Sequence, residues 1–445
     1  MLSRKLSTVL SRISAITAVL MLLLNGWSDR VEAADIQAFV GARLMPVSGP
    51  VIENGTLVVR NGKIEQIGAT DQVVLPPGTE VVNAEGKTII PGLICTHSHI
   101  GWGGGGDSSE PIQPECWTRD SVDVRSASFM RARAGGLTLV NQMPGSGHLI
   151  SGRTTYLKLR EGNTVDDLLV LDDTGWPMGG LKMANGTNSQ RSAPFPGTRA
   201  KSASLVRQAY VKAQEYRNKI AKAEGDAEKM PERDLRMEAL VEALEGKRIV
   251  HHHTHRHDDI LTVLRLRDEF GFEVVLHHVS DAWKVADEIA AAGADCSIIV
   301  VDSPGGKLEA RDIRLENGAV LEKAGVNVAF HTDDWITDSR LFLRSAALGV
   351  RAGMTSEGAL RALTLSGAEM LGLEDQTGSL DVGKDADFAI LSGDPFSIYT
   401  QILETWVEGA QVFDRSNPDH LLYAVGGRGA GDDSAYHCCG EEGGH

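Results

Sequence analysis

The chain has 445 residues, enough for one large domain with a smaller satellite domain. Its 60 acidic residues outnumber its 44 basic residues, so the net charge is −16 at pH 7. This acidic balance argues against a nucleic-acid partner and against an anionic membrane surface. Hydrophobic residues make up 42% of the chain and charged residues 23%, which is typical of an ordinary soluble globular protein.

The first 33 residues differ in composition from the rest of the chain. Basic residues precede an apolar run at 16–24, which is too short to span a membrane comfortably. Val31 and Ala33 then stand at the −3 and −1 positions of a cleavage site, so residues 1–33 are predicted to be a secretory signal peptide. An uncleaved membrane anchor is the alternative. The prediction implies an exported protein, periplasmic or secreted, without a membrane partner after cleavage.

Both ends of the remaining chain carry β-type patterns. In residues 34–90 short apolar runs are broken by Gly, Asn and Pro, and Asn61-Gly62 is a strong hairpin signal. Similar runs return at 386–391 and 405–413. We therefore predict one composite β-sandwich domain from residues 34–90 and 376–425, with residues 91–375 inserted between its halves. The Gly-rich residues 426–445 are predicted to be a flexible tail.

The middle of the chain alternates strand-like and helix-like segments, which implies parallel pairing with right-handed crossovers. The candidate strands are 137–141, 180–183, 248–252, 273–277, 297–302 and 326–330. The candidate helices are 205–224, 235–244, 260–269, 281–292 and 356–371. With the strand that precedes His97, this α/β pattern predicts a (β/α)8 TIM-type barrel over residues 91–375. A doubly wound open sheet is the alternative, although the sequence contains neither a dinucleotide fingerprint nor a P-loop.

Two histidines separated by one residue, His97 and His99, follow the short apolar run that begins at Pro91. On a β-strand, side chains two residues apart point to the same face, so both can aim at one ion. Neutral imidazole is the commonest metal ligand of proteins. The spacing alone is weak evidence, because two histidines at a solvated strand end produce the same pattern.

Residues of metal-ligand type also end other predicted strands. In a barrel, functional side chains come from the C-terminal ends of different strands. The residues at these ends are Lys182, the group His251, His252, His253 and His255, the pair His277 and His278, and the pair Asp333 and Asp334. Chance clustering is the poorer explanation, because the whole chain contains only 14 histidines.

The order of these residues resembles the amidohydrolase superfamily of metal-dependent hydrolases. The similar features are His-x-His after Pro-Gly-Leu-Ile, a lysine, two later histidines and a final Thr-Asp. The segment 378–387 resembles the one by which this superfamily returns from barrel to β-sandwich. The chain is most similar to the imidazolonepropionase-like and prolidase-like branch. The resemblance implies two divalent metal ions as cofactors, with zinc as the expected metal.

The resemblance also implies a role for each matching residue. His97 and His99 would hold the more buried ion, and Lys182 would bridge both ions as an N-carboxylated lysine. Asp333 would bind metal and act as general acid/base, with Asp334 as the weaker alternative. A buried lysine paired with a carboxylate is the alternative for Lys182, because some members of the superfamily hold one metal.

The more exposed ion would be held by His253 and His278. His252 and His255 are the alternatives for His253, because the histidine run leaves the strand register open. Of the adjacent His277 and His278 only one is expected to face inward, and spacing favours His278. The chain departs from the family at Cys95, where an aspartate is usual, but that position is usually supportive and not a ligand.

Loops after the strands are expected to supply the substrate pocket. His148, His255 and Arg256 are candidate anchors for a substrate carboxylate, because arginine offers a planar fork of donors. A surface salt bridge from Arg256 to Asp258 or Asp259 is the alternative.

The sequence thus predicts a metal-dependent amidohydrolase that cleaves an amide, cyclic amide or related C–N bond, other than a peptide bond, in a small molecule. Asp333 would be its general acid/base. A prolidase-like metallodipeptidase is the alternative among enzymes, and a non-catalytic metal-binding barrel is the alternative of another class. The sequence leaves open whether the chain forms a homo-oligomer.

Overall fold

The computed structural model describes residues 36–101, 106–300, 307–334 and 336–426, and the fold is mixed α/β. The predicted signal peptide, residues 1–33, lies outside the described residues, as does the predicted tail from residue 427 onwards. Among the described helices, none combines the length and apolar character needed to cross a membrane.

The strands of the described chain, numbered in chain order, are β1 (Ile36–Leu44), β2 (Ile52–Arg60), β3 (Lys63–Ala69), β4 (Glu80–Asn83), β5 (Thr88–Pro91), β6 (Leu93–Ser98), β7 (Leu137–Gln142), β8 (Ile150–Arg153), β9 (Thr155–Lys158), β10 (Leu181–Ala184), β11 (Val250–Thr254), β12 (Val274–His278), β13 (Asp295–Ile298), β14 (Val328–Phe330), β15 (Phe388–Leu391), β16 (Ile402–Val407) and β17 (Ala410–Asp414).

The α-helices of the described chain are α1 (Ala127–Ala134), α2 (Val165–Leu168), α3 (Arg199–Ala223), α4 (Leu235–Leu244), α5 (His257–Phe270), α6 (Ala286–Ala292), α7 (Asn317–Lys323), α8 (Phe342–Arg351), α9 (Ser356–Ala362), α10 (Leu365–Glu369) and α11 (Pro418–Val425). Short 3-10 turns occur at Thr118–Asp120, Gly186–Ser189, Ala282–Lys284, Leu308–Ala310 and Ser339–Leu341.

Strands from the two ends of the chain pair in one eight-stranded sheet. Its order is β17-β16-β15-β5-β1-β2-β3, with β4 beside β1. The predicted hairpin joins β2 to β3, where Asn61 and Gly62 both have positive φ, 51° and 76°, as a tight hairpin turn requires. Phe39 from one end packs against Phe388 from the other at a ring-centroid distance of 5.0 Å. The sandwich arrangement and the domain boundaries stay predictions.

Two further sheets form in the middle of the chain. One has the order β14-β13-β12-β11-β10-β8, in which β10 to β14 are parallel and β8 is antiparallel to β10. The other has the order β6-β7-β9, in which β6 and β7 are parallel. Every residue of β11 and β12 is buried, as expected for parallel strands covered on both faces.

Each strand and helix predicted for the middle overlaps an observed element, but the strand predicted for 297–302 ends at Ile298 in β13. The single helix predicted for 356–371 is wrong, because α9 and α10 are separate helices. Thr364, between them, has a non-helical ψ of −96°, and its hydroxyl donates to the carbonyl oxygen of Leu360 at 2.8 Å. The helix predicted for 281–292 likewise divides at Val285, whose φ is −137°.

Candidate metal centre

The ends of five strands place one group of side chains in contact, which we call the histidine cluster. Its members come from β6, β10, β11 and β12 and from the segments that follow β6, β11 and β14. All are buried, with exposed fractions between 0% and 6%: His97, His99, Lys182, His251, His253, His255, His277, His278, His331 and Asp333.

Asp333 lies in the middle of the histidine cluster. Its Oδ1 is 3.1 Å from His97 Nε2 and 3.0 Å from His99 Nε2, and its Oδ2 is 3.8 Å from His278 Nε2. Burial alone would raise the pKa of this carboxyl group. The nearby rings of His278 and His99 outweigh burial and hold the pKa well below its usual value, so Asp333 is ionised at neutral pH.

The geometry at His99 suits a bound cation. Its Nδ1 is 2.9 Å from the carbonyl oxygen of Met143, which can only accept a hydrogen bond, so Nδ1 carries the ring proton. Nε2 then faces Asp333 Oδ1. A contact of 3.0 Å between this nitrogen and a carboxylate oxygen is satisfied by a proton on Nε2 or by a bound cation. His97, His99 and Asp333 thus form a group that could hold a metal ion.

Lys182 is fully buried beside this group. Its Nζ lies 3.1 Å from His97 Nε2 and 3.0 Å from the sulfur of Met143. On strand β10 it is in register with His251 of β11. Burial lowers the pKa of His97 first of all, and the charge of Lys182 lowers it further.

A second group that could hold a metal ion consists of His253, His255 and His278. One ring nitrogen of each lies within 4.8 Å of one of each of the others. Within the described residues, Nδ1 of His253 and Nε2 of both His255 and His278 are buried without a hydrogen-bond partner. Nδ1 of His255 is 2.8 Å from the hydroxyl oxygen of Ser280, a contact that orients the ring.

The backbone at two of these residues is unusual. His278 has φ 68°, the following Val279 has φ 39°, and Asp333 has φ 50°, all in the left-handed region that residues other than glycine rarely adopt. Strained backbone conformations of this kind are common at functional sites, where the surrounding packing maintains them. At His278 it ends the regular alternation of the strand.

The expectation that only one of the adjacent His277 and His278 faces inward is therefore wrong. The rings of both contact His97, at centroid distances of 5.1 Å and 5.0 Å. The left-handed backbone at His278 turns its side chain to the same region as that of His277.

His252 lies on the opposite side of β11 from its two neighbours, as strand alternation requires. Its Nδ1 is 3.0 Å from the carbonyl oxygen of His253, and its side chain lines a separate cavity of about 410 Å³. This arrangement favours His253 over His252 as the residue directed to the centre.

His331 belongs to the cluster although the sequence analysis did not select it. Together with His97 and His277 it forms a third group that could hold a metal ion. A signal was present: His331 and Asp333 are two residues apart after a strand, the same spacing as His97 and His99.

Asp334 has a different environment from Asp333. Its carboxylate accepts hydrogen bonds from the hydroxyl of Ser98 at 2.5 Å, from the backbone N–H of His99 at 3.2 Å, and from the hydroxyl of Ser339. Burial raises its pKa, against the lowering effect of the hydroxyls. Asp334 thus fixes the backbone of the His-x-His segment.

Cys95, which replaces the usual aspartate, is a buried neutral thiol. Its sulfur is 3.1 Å from the carbonyl oxygen of His97 and 3.3 Å from the hydroxyl of Thr332. Burial raises its pKa to about 12. The residue packs behind the strand end and supports the backbone there.

The three predicted substrate anchors lie in different settings. Arg256 forms a two-point ion pair with Asp258, with both N–O distances 2.9 Å, and its side chain is 42% exposed. This ion pair is the surface salt bridge that the sequence analysis gave as the alternative to substrate binding by Arg256. His148 Nε2 is 2.8 Å from the carbonyl oxygen of Asp107, and the ring packs against Phe195. His255 lies in the cluster itself, and the anchoring roles of all three stay predictions.

Burial favours the neutral form of seven imidazoles of the cluster, which is the form that binds metals. It lowers the pKa of His251, His255 and His331 to about 3. It also places the pKa of four further rings well below the usual value, namely those of His97, His253, His277 and His278.

Comparison with known proteins indicates the family to which the chain belongs. A sequence profile of the amidohydrolase family matches residues 212–413. The chain is 24% identical over 394 residues to amidohydrolase tasK of Hapsidospora irregularis, an alignment that covers 81% of this chain and 40% of that protein. It is 24% identical over 370 residues to an imidazolonepropionase of Mesorhizobium japonicum, covering 76% of this chain and 87% of that protein.

A solved structure shares both sequence and fold with the chain. It is the crystal structure of an amidohydrolase from Thermotoga maritima MSB8, 32% identical, with a TM-score of 0.79. The match covers 85% of this chain and all of that one. The chain belongs to the amidohydrolase family, which comprises hydrolases of carbon–nitrogen bonds.

Proposed function

We propose that the chain is a metal-dependent amidohydrolase that hydrolyses an amide, cyclic amide or related C–N bond of a small molecule. The observation that carries the proposal is the buried contact of Asp333 Oδ1 with the ring nitrogens of His97 and His99. The relative named as an imidazolonepropionase supports a C–N bond outside peptides as the target.

We propose that the parallel strands close into a (β/α)8 barrel. The backbone N–H of Asp333, just after β14, donates to the carbonyl oxygen of His97 in β6 at 3.1 Å. This bond links the last strand of one sheet to the first strand of the other, as barrel closure requires. The strands from both chain ends would then form the small β-domain beside the barrel.

The residues present fit divalent ions, with zinc as the expected metal, because ring nitrogens of His97 and His99 converge on the carboxylate of Asp333 in a buried group. His97, His99 and Asp333 would hold one ion, and His253 and His278 would hold another. Lys182, beside His97, would supply a bridging carboxylate once N-carboxylated. Ions at such a site acidify water and polarise the scissile bond.

Asp333 is the residue to which we assign proton transfer. As a buried carboxylate at the centre of the cluster, it would accept a proton from the attacking water. Oδ1 faces the rings of His97 and His99, so Oδ2 is the atom that would take the proton and return it to the leaving nitrogen. Asp334 holds the His-x-His backbone in place through Ser98 and does not take part in proton transfer.

We also propose that residues 1–33 direct export of the chain. We propose His148, His255 and Arg256 as substrate-binding residues. Arg256 would have to release Asp258 to bind a substrate carboxylate, which makes it the weakest of the three.

The test is a substrate panel on the zinc-loaded full chain. It contains lactams, ureides, N-acyl amino acids and Xaa-Pro dipeptides, each assayed before and after removal of metal with a chelator. Turnover of a non-peptide C–N bond that chelation abolishes supports the proposal. Turnover of dipeptides alone would establish the prolidase-like alternative, and bound metal without any turnover would establish the non-catalytic one.

A further inference from the structure

The third group of the histidine cluster, His97, His277 and His331, includes two residues that the amidohydrolase pattern does not use. All three side chains have an exposed fraction of 0%. One ring nitrogen of each lies within 4.8 Å of one of each of the others. The rings of His97 and His331 stack at a centroid distance of 4.9 Å, and His277 approaches His97 edge-on at 5.1 Å.

The outer nitrogen of His331 is held by a hydroxyl. Nδ1 lies 2.7 Å from Ser297 Oγ, which in turn lies 2.6 Å from Thr96 Oγ1. Nε2 of His331, on the other side of the ring, is buried and has no hydrogen-bond partner in the described part of the chain. Metal-binding histidines usually show this arrangement, in which one nitrogen is fixed from outside and the other faces the ion.

The outer nitrogen of His277 is held in the same way. Nε2 lies 2.9 Å from His251 Nδ1, and His251 Nε2 lies 3.2 Å from the hydroxyl of Tyr156. Among the described residues, Nδ1 of His277 is also buried without a partner. A buried polar atom that lacks a partner is costly, so two of them directed at one group need an explanation.

We propose that His97, His277 and His331 form an additional metal-binding position. Three neutral imidazoles suit zinc, and also copper, nickel and cobalt, better than calcium or magnesium. The position is distinct from those on Asp333 and on His253, because His277 and His331 belong to neither group.

His97 is shared between this position and the one that includes His99 and Asp333. Its Nε2 faces Asp333 and Lys182, while its Nδ1 is buried without a hydrogen-bond partner within the described structure. Filling both positions at once would require one nitrogen of His97 for each ion.

The first test counts zinc bound to the full chain, by elemental mass spectrometry after loading and gel filtration. It compares the parent with His277→Gln and His331→Gln, and with His252→Gln as matched control. His252 is equally buried but bonds a carbonyl oxygen and lies outside all three groups. We expect each of the first two variants to bind about one equivalent less than the parent, and the control to match the parent.

Unchanged zinc content in folded His277→Gln and His331→Gln, with folding checked by circular dichroism, would overturn the inference. If either variant fails to fold, anomalous diffraction from zinc-soaked crystals of the parent decides. A peak at about 2.0–2.1 Å from nitrogens of both His277 and His331 supports it, and peaks confined to the other two groups refute it. Neither measurement uses turnover, so failure of the proposed hydrolysis leaves this test intact.

Discussion

His99 Nε2 lies 3.0 Å from Asp333 Oδ1, although 234 positions separate the two residues along the chain. The other ring nitrogen of His99 lies 2.9 Å from the carbonyl oxygen of Met143, a contact that holds the ring with Nε2 directed at the carboxylate. A cation at this point would explain the contact, and the same contact would position Asp333 for the proposed proton transfer.

Asp333→Asn should lower kcat about 10²- to 10⁴-fold, the usual contribution of a general acid/base. Asparagine keeps the shape and one ligand oxygen but cannot accept a proton, so metal should be retained or only partly lost. Steady-state kinetics with the best substrate of the panel measures the effect. Asp338→Asn is the control, because Asp338 pairs with Arg340 in the same segment. Full activity of Asp333→Asn would remove this residue from the mechanism.

Acid should destabilise the metal-free protein below about pH 6.5, the pKa of histidine in the unfolded chain. The folded-state pKa values of buried rings such as His251 and His331 are lowered to about 3. Between these values the unfolded chain binds protons that the folded chain does not, so stability falls as the pH falls. Each ring contributes about 1.4 kcal/mol per pH unit.

Urea denaturation of the metal-free protein at pH 8, 7, 6 and 5 measures this dependence. Below about pH 6.5, His331→Gln should reduce the slope of the unfolding free energy against pH by about 1.4 kcal/mol per pH unit, the contribution of one ring. Equal stability of the parent at pH 8 and pH 5 would contradict the expectation that these rings are neutral.

A buried ion group holds β9 to the segment before β15. Lys158 Nζ is 2.6 Å from Asp385 Oδ2 and also contacts Asp387 Oδ2. Lys158→Met leaves the buried carboxylate of Asp387 without its ammonium partner, while Asp385 keeps Lys63, and should cost about 3–5 kcal/mol in free energy of unfolding at pH 7. The exposed pair Arg207–Glu269 is the control, because Arg207→Ala should cost less than about 1 kcal/mol.

The pH dependence of this group provides a second check. Burial alone would lower the pKa of Lys158, but Asp387 and Asp385 raise it above its usual value. The stabilisation by Lys158 is therefore present below its unfolded pKa of about 10.4 and is lost only as the pH rises through the folded value. Equal unfolding free energies for Lys158→Met and the parent at pH 7 would show that the group contributes nothing.

Gly92 leaves no room for a side chain at the start of the His-x-His strand. A Cβ there would lie 2.2 Å from the hydroxyl oxygen of Thr138 and 2.3 Å from its methyl carbon. Gly92→Ala should therefore destabilise the protein by about 1–3 kcal/mol, measured by chemical denaturation. Gly49→Ala is the control, because no atom of the described chain lies within 4 Å of that Cβ. Equal stability of the two variants would contradict the packing argument.

Strand periodicity predicted the part of the candidate site that lies on regular strands. It placed His97 and His99 on one face, but it left the choice between His252 and His253 open until the structure fixed the register of β11. It failed at His278, where a left-handed backbone brings adjacent histidines to the same region. A pattern of two-residue alternation cannot show such a residue, since the conformation depends on the surrounding packing.

His331 was missed for a related reason. His331 follows β14 directly and stands immediately before Thr332-Asp333. The Thr-Asp motif predicts a ligand at Asp333 but not at the residue that precedes the motif. The sequence could not predict the break of the last helix at Thr364. A threonine hydroxyl that donates to the carbonyl oxygen four residues earlier occurs both in continuous helices and at helix ends.

The most direct test of the central claim is the metal content of the purified full chain, measured beside Lys182→Ala. We expect at least about two equivalents of zinc in the parent and a lower content in the variant, since Lys182 would bridge the ions. A folded parent chain that binds no divalent metal after loading would contradict the assignment of the histidine cluster as a metal centre.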